Sequence, residues 1–553
     1  MSTNKSARVE SNRTIAKSAG VIGFATLCSR LLGFVRDIVI ARLFGIYVYA
    51  QAFVIAFKIP NLFRDLVGEG AANAAFVPVF SEYKVKHTEE EFWELANVVL
   101  NLLLVIVTAI TLLGIIFSPV IVRLIAPGFI SDPHKLEVTI RLNRIIFPYI
   151  LLISLAAYAM GILNSLKHFS VPAFAPCLLN ISIIAFALIF GESVKGLALG
   201  VLVGGVLQLV IQIPVLYKKG FHLKLFQRFT PLEISPMQRG RAKFLTGFRH
   251  PAAKNIGKLM VPRVFSSSIY QLNNFIDSIF GSLASIVGEG GVAVLYYAYR
   301  LILFPLGIFS NALSQAILPT FSTQALEDNH GNLKATLSFG LRATFFVMLP
   351  ASVGFMVLAH PIIQTIFKGG RFDAYSAAQT ANALFFYSIG LFAYGATKIL
   401  QSCFFALKDT ITPTKVSSLA LIVNIILNFI LMFPMKLSGL ALATSISGIN
   451  TFLIMLFLLR KKVHGFDIRA IIISFARILL ASLGMGVVCY IVSKNIIFNG
   501  VSLTRFFSLG LAIASGLISY VIFCFILQVG EIRELWKWVA KRGIAPKGTA
   551  TDF

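Results

Sequence analysis

Runs of about 20 apolar residues recur from one end of this chain to the other, and several of them carry charges in their middle. Within hydrocarbon a segment must satisfy its own backbone N–H and C=O groups, so runs of this kind fold as helices that cross the bilayer. Charged residues make up 13% of the 553-residue chain, roughly half the share usual for a soluble domain. The run 20–44 holds Arg30, Arg36 and Asp37, the next holds Lys58 and Arg64, and a later one holds Arg300. A charge at bilayer depth costs about 3 kcal/mol on insertion scales and persists where it faces a bundle interior or a wet cavity. Several cations at such depth point to a chamber for an anion.

About fourteen spans are expected, with cores near 20–44, 48–80, 92–125, 138–166, 170–190, 196–217, 256–286, 291–323, 332–367, 376–406, 413–434, 438–460, 467–493 and 503–528. Pro60, Pro148, Pro305 and Pro350 lie inside spans and predict kinks. Basic residues gather in alternate loops: Lys5, Arg8, Arg13 and Lys17 before the first span, Lys84 and Lys86 after the second, nine between Lys218 and Lys254, and Arg460 to Lys462 after the twelfth. The intervening loops are poorer in them, which places both termini in the cytoplasm. The formal charge of +26 thus reads as cytoplasmic loops facing anionic lipid. No basic, aromatic-interleaved groove supports nucleic-acid binding. Residues 1–17 are polar and basic and lack a signal-peptide core. Cys28, Cys177, Cys403, Cys489 and Cys524 all fall in apolar segments without CxxC spacing, as small buried side chains do.

The chain also echoes itself. Gly161–Gly205 returns in outline as Lys398–Gly448, with Gly-Leu-Ala-Leu blocks starting at Gly196 and Gly439. Two six-helix copies inserted the same way up predict two lobes about an axis along the membrane normal. The resulting layout is an all-α polytopic membrane protein: a basic N-terminus (1–19), an N-lobe (20–217), a basic cytoplasmic linker (218–254), a C-lobe (255–460), two further spans (461–529) and a C-terminal tail (530–553). In the tail, Trp536 and Trp538 stand among basic residues, the pattern of an interfacial amphipathic helix.

Enzyme signatures fail. The eight histidines form no HExxH, and neither GxxxxGK[ST] nor GxSxG occurs, so the sequence offers no catalytic set and no ATP motor. Glu89, Glu90 and Glu91 suit the start of a helix. At 100° per residue Arg30 and Asp37 share a face, while Arg36 points about 120° away from Arg30. Each arginine alone could snorkel or pair with an acid such as Asp65 or Glu69; Arg30, Arg36, Arg64 and Arg300 together favour the anion chamber, because a guanidinium is permanently charged and grips diphosphate through two N–H groups. Arg144, Arg342 and Arg477 read as structural. A second constellation is nearly uncharged: Asp277, the i, i+4 pair Asn424 and Asn428, and Thr444. Its oxygens suit a hard monovalent cation and equally suit interhelical hydrogen bonds.

These residues resemble the MurJ (MviN) family, the bacterial lipid II flippases of the multidrug/oligosaccharidyl-lipid/polysaccharide exporter superfamily. The resemblance runs through Ser29–Gly45 ("SRLLGFVRDIVIARLFG"), Ala56–Tyr83, Ala126–Phe129, Phe147–Ser165, Phe169–Ile181, Tyr296–Pro319 and Phe404–Pro413 ("FFALKDTITP"). It implies a transporter rather than an enzyme, one that moves undecaprenyl-diphosphate-linked peptidoglycan precursor from the inner to the outer leaflet of the cytoplasmic membrane by alternating access. It implies that Arg30, Arg36, Asp37, Arg64 and Arg300 serve the substrate, that Asp277, Asn424, Asn428 and Thr444 form a sodium site, and that the last two spans hold the lipid tail. It implies no cofactor beyond sodium or membrane-potential coupling, and as partners lipid II, membrane lipids and the cell-wall synthesis or division machinery. Three departures stand out: Gln51 stands where many members have an acid, Tyr299 and Leu303 flank Arg300 where some carry acids, and Asn428 replaces an acid found in some sodium-binding members. The rival readings are an exporter of another lipid-linked oligosaccharide, a drug exporter, which would need buried acids, and a non-transporting membrane enzyme or scaffold.

Overall fold

The computed structural model describes residues 2–63, 76–224, 256, 258, 275–327, 330–495 and 502–532, with the side chains of 2–19 and 502–503 excepted. Helices account for nearly all of it, and no extended strand occurs among the described residues. Nine of these helices are long and apolar enough to cross a bilayer, or ten when one bent pair is taken as a single span. The sequence led to about fourteen. Part of that difference is visible: the expected spans 48–80 and 256–286 run partly outside the described residues, and two expected spans form one merged helix.

The chain divides into two compact units, residues 1–284 with 370–372, and 285–369 with 373–553. In the first, α1 (Ser2–Phe44) is followed by α2 (Val48–Phe63), which contains Pro60. The short α3 (Val77–Lys86) leads to α4 (Glu89–Ile116), whose start is fixed by a capping box: the Thr88 hydroxyl accepts from the Glu91 N–H and the Glu91 carboxylate accepts from the Thr88 N–H. Then come α5 (Ser118–Ile125), α6 (Pro133–Ile146), α7 (Tyr149–Ser165), α8 (Ser170–Phe190) and α9 (Val194–Val210). Helices in lipid gain little from apolar burial alone, so close backbone approach matters. Gly200 and Gly204 provide it: a Cβ at either would lie 2.9 Å from the Cα of Ile183 or Leu179. The Ser182 hydroxyl donates to the Gly200 carbonyl across the same seam at 2.8 Å.

In the second unit α10 (Gly291–Pro305) runs through a π-turn, Leu306–Ser310, into α11 (Asn311–Gln324). Pro305 has no N–H to give the preceding turn, which explains the break there. Next are α12 (Gly331–Val357) and the pair α13 (Ala374–Ile389) and α14 (Leu391–Ala406), bent by 44°. α15 (Ile411–Lys462) merges two spans that turn at Lys436, where φ is 53°. The Ser447 hydroxyl donates to the Ala420 carbonyl at 2.8 Å, so the second half folds back along the first. α16 (Ile468–Asn495) and α17 (Ser502–Ile526) complete the unit. The hydroxyl of Tyr520 on α17 donates to the Phe346 carbonyl of α12.

Candidate functional site

A buried pair of opposite charges in the first unit sits on α1. Arg36 is 4% exposed and Asp37 1%. The Arg36 guanidinium donates from Nε and Nη2 to Asp37 Oδ1 at 3.0 and 2.8 Å, and from Nη1 to Asn180 Oδ1 on α8 at 3.1 Å. Its carbon lies 5.9 Å from the centre of the Phe57 ring of α2. Asn180 donates in turn to the Ser29 carbonyl of α1 at 3.1 Å. One arginine therefore ties three helices together, and its charge is matched by its sequence neighbour. Adjacent helical residues point 100° apart, so the spacing alone groups Asp37 with Arg30; the long arginine side chain bends around the helix to reach it. Arg30 itself is exposed. Arg64, expected with these residues, lies outside the described residues, as do Asp65 and Glu69.

A second cation with side-chain partners in the same unit is Lys58 on α2. Its ammonium donates to the Ser278 hydroxyl and lies 5.5 Å from the centre of the Phe275 ring. Asp277, next to Ser278 in the helical segment 275–281, acts on it electrostatically. The sequence marks Lys58 as a charge within a span; its partners lie more than two hundred residues away, beyond the reach of any spacing rule.

In the second unit Arg300 is half-buried on α10. The polar constellation of α15 is a chain: Asn428 Nδ2 donates to Asn424 Oδ1 at 3.0 Å, Asn424 Nδ2 donates to Thr444 Oγ1 at 3.2 Å, and Thr444 donates to the Leu440 carbonyl at 3.1 Å. Asn428 is fully buried, yet its Oδ1 meets no donor. A buried acceptor left open is costly, and a carbonyl-type oxygen beside a second amide and a hydroxyl is the donor set a hard cation takes. Asn424, Asn428 and Thr444 thus fit the sodium reading. Arg342 pairs with Glu531 at 3.1 Å, and Arg477 donates to the Gln528 carbonyl at 3.1 Å, so both hold the last two helices in place. All five cysteines are free thiols.

Comparison with known proteins bears on what these charges serve. The family model described as lipid II flippase MurJ matches residues 40–528. A probable lipid II flippase MurJ of Buchnera aphidicola subsp. Acyrthosiphon pisum is 37% identical over 476 residues, covering 85% of this chain and 89% of the relative. The lipid II flippase MurJ of Burkholderia cenocepacia is 35% identical over 446 residues, covering 80% and 83%. Among solved structures, a lipid II flippase MurJ in an inward closed conformation superposes with a TM-score of 0.75 at 29% identity, covering 92% of this chain and 99% of that one. An inward-facing multidrug resistance MATE transporter of the MOP superfamily has a TM-score of 0.62 at 17% identity, covering 79% and 94%, and shares the fold.

Proposed function

The chain belongs to the MurJ family of lipid II flippases, and on that premise we propose that it carries lipid II from the inner to the outer leaflet of the bacterial cytoplasmic membrane by alternating access. The observation that carries this reading is the family match, which spans residues 40–528 of a multi-pass helical membrane protein. The substrate's diphosphate is an anion that must cross hydrocarbon, and permanently charged guanidiniums stabilise it there. Arg30, Arg64 and Arg300 supply that charge. Arg36 and Asp37 hold α1 against α8, so their role is to keep the arginine-bearing helix in position. The lipid tail stays in the bilayer beside α16 and α17. Both termini face the cytoplasm, and the chain performs no covalent chemistry.

A monovalent cation gradient or the membrane potential biases the cycle. Asn424, Asn428 and Thr444 of the second unit serve as cation ligands, and so does Asp277 of the first; a bound cation adds positive charge to a region that an anion must traverse. Complementation of a flippase-depleted strain tests this reading. Arg300→Ala is expected to abolish growth while the protein accumulates and unfolds at the wild-type temperature. Normal growth on Arg300→Ala contradicts the assignment.

A further inference from the structure

Lys58 touches the cation reading at one point, and the contact is specific. Its ammonium donates to the Ser278 hydroxyl and rests near the Phe275 ring at 5.5 Å, while the Asp277 carboxylate between those two residues acts on it electrostatically. Phe275, Asp277 and Ser278 thus all act on one side chain of α2. An ammonium is a compact point charge with three donors on a flexible stem, close to a hydrated monovalent ion in its demands.

We infer that Lys58 and the transporter's coupling cation are alternative counter-charges of Asp277. This inference rests on the reading of Asp277 as a cation ligand. With no ion bound, the ammonium balances the carboxylate. When a sodium ion takes Asp277, two positive charges in a low-dielectric setting repel, and the lysine stem swings its head away. Lys58 therefore sets the affinity for the ion: it lowers it, and it excludes ions that compete weakly for a carboxylate. By reciprocal linkage, whatever draws the ammonium away from Asp277 strengthens ion binding by the same factor.

Sodium titrations of the full chain in detergent, with choline chloride holding ionic strength constant and the thermal unfolding midpoint as readout, test this. Lys58→Met is expected to bind sodium about tenfold more tightly than the wild type, the scale of one close like charge removed. Asp277→Asn is expected to lose the sodium response. Ser278→Ala, which loosens the grip on Lys58 without removing a charge, is expected to tighten sodium binding in the same direction by less, and serves if Lys58→Met does not fold. Unchanged sodium affinity in Lys58→Met, or in Ser278→Ala where Lys58→Met is not obtained, with the response lost in Asp277→Asn, overturns the role of Lys58 and leaves the cation reading standing. A wild-type sodium response in Asp277→Asn overturns both.

Discussion

The Arg36 cluster of α1 and the amide chain of α15 both bury polar groups, yet they resolve the cost in opposite ways. At α1 full charges are matched: one carboxylate, one amide oxygen and one aromatic face surround one guanidinium. At α15 neutral groups hand hydrogen bonds down a line and leave the Asn428 carbonyl open at its buried end. A matched pair of full charges argues for holding a helix in place; a neutral line of amides that ends on an acceptor without a donor argues for a ligand. The difference separates structural from ligand-binding polarity within one membrane protein.

The largest effect should come from breaking the matched pair. Asp37→Ala leaves a buried guanidinium without its carboxylate and should destabilise the protein by about 3–5 kcal/mol, read as a fall in the unfolding midpoint. The double replacement Arg36→Met with Asp37→Leu should recover most of that loss, because both charges leave together. If the double variant is as unstable as the single one, the pair does more than balance charge.

Asn428→Ala probes the open set. The Asn428 hydrogen bond runs to Asn424 one turn away on the same helix, and such i, i+4 contacts contribute only about 0.2–0.5 kcal/mol, so the fold should barely change, while the sodium-induced rise in midpoint should vanish. A large loss of stability would place Asn428 with Arg36 as a structural residue.

Ion pairs outside the spans sharpen the contrast further. Asp409 precedes α15. Partial burial alone would raise its carboxyl, but hydrogen bonds from Lys462 and from the N–H and hydroxyl of Thr412 outweigh that and hold it at about 2, below the usual 3.8. A depressed carboxylate stabilises the fold above 3.8, and this contribution is lost as the pH falls toward 2. Lys462→Met should flatten the acid loss across that window, measured as unfolding midpoint against pH. The smallest effect is expected at Arg371, whose Nε donates to Glu192 at 3.1 Å with the side chains 47% and 65% exposed. Arg371→Ala should cost less than about 0.5 kcal/mol, and high salt should erase the difference.

Much of the fold was legible because it follows from local rules. Apolar run length gave the helices, Pro305 the break after α10, the acids Glu89–Glu91 a helix start that Thr88 caps, and the sparse loop at Lys436 a turn between two spans. The i, i+4 spacing of Asn424 and Asn428 already placed them on one face, and they do bond. Angular spacing failed at Arg36, because a side chain that long is not confined to the direction of its Cβ. The partners Asn180 and Ser278 were out of reach for a different reason: they meet α1 and α2 through tertiary packing across 144 and 220 residues of sequence. Polar residues inside apolar runs were the available signal for both.

Lipid II translocation in proteoliposomes tests the central claim most directly. Purified protein should move labelled lipid II across the bilayer, faster with a sodium gradient or membrane potential, and Arg300→Ala, folded to the same midpoint, should not. Undiminished translocation by Arg300→Ala, or none by the wild-type chain under either driving force, would contradict the account.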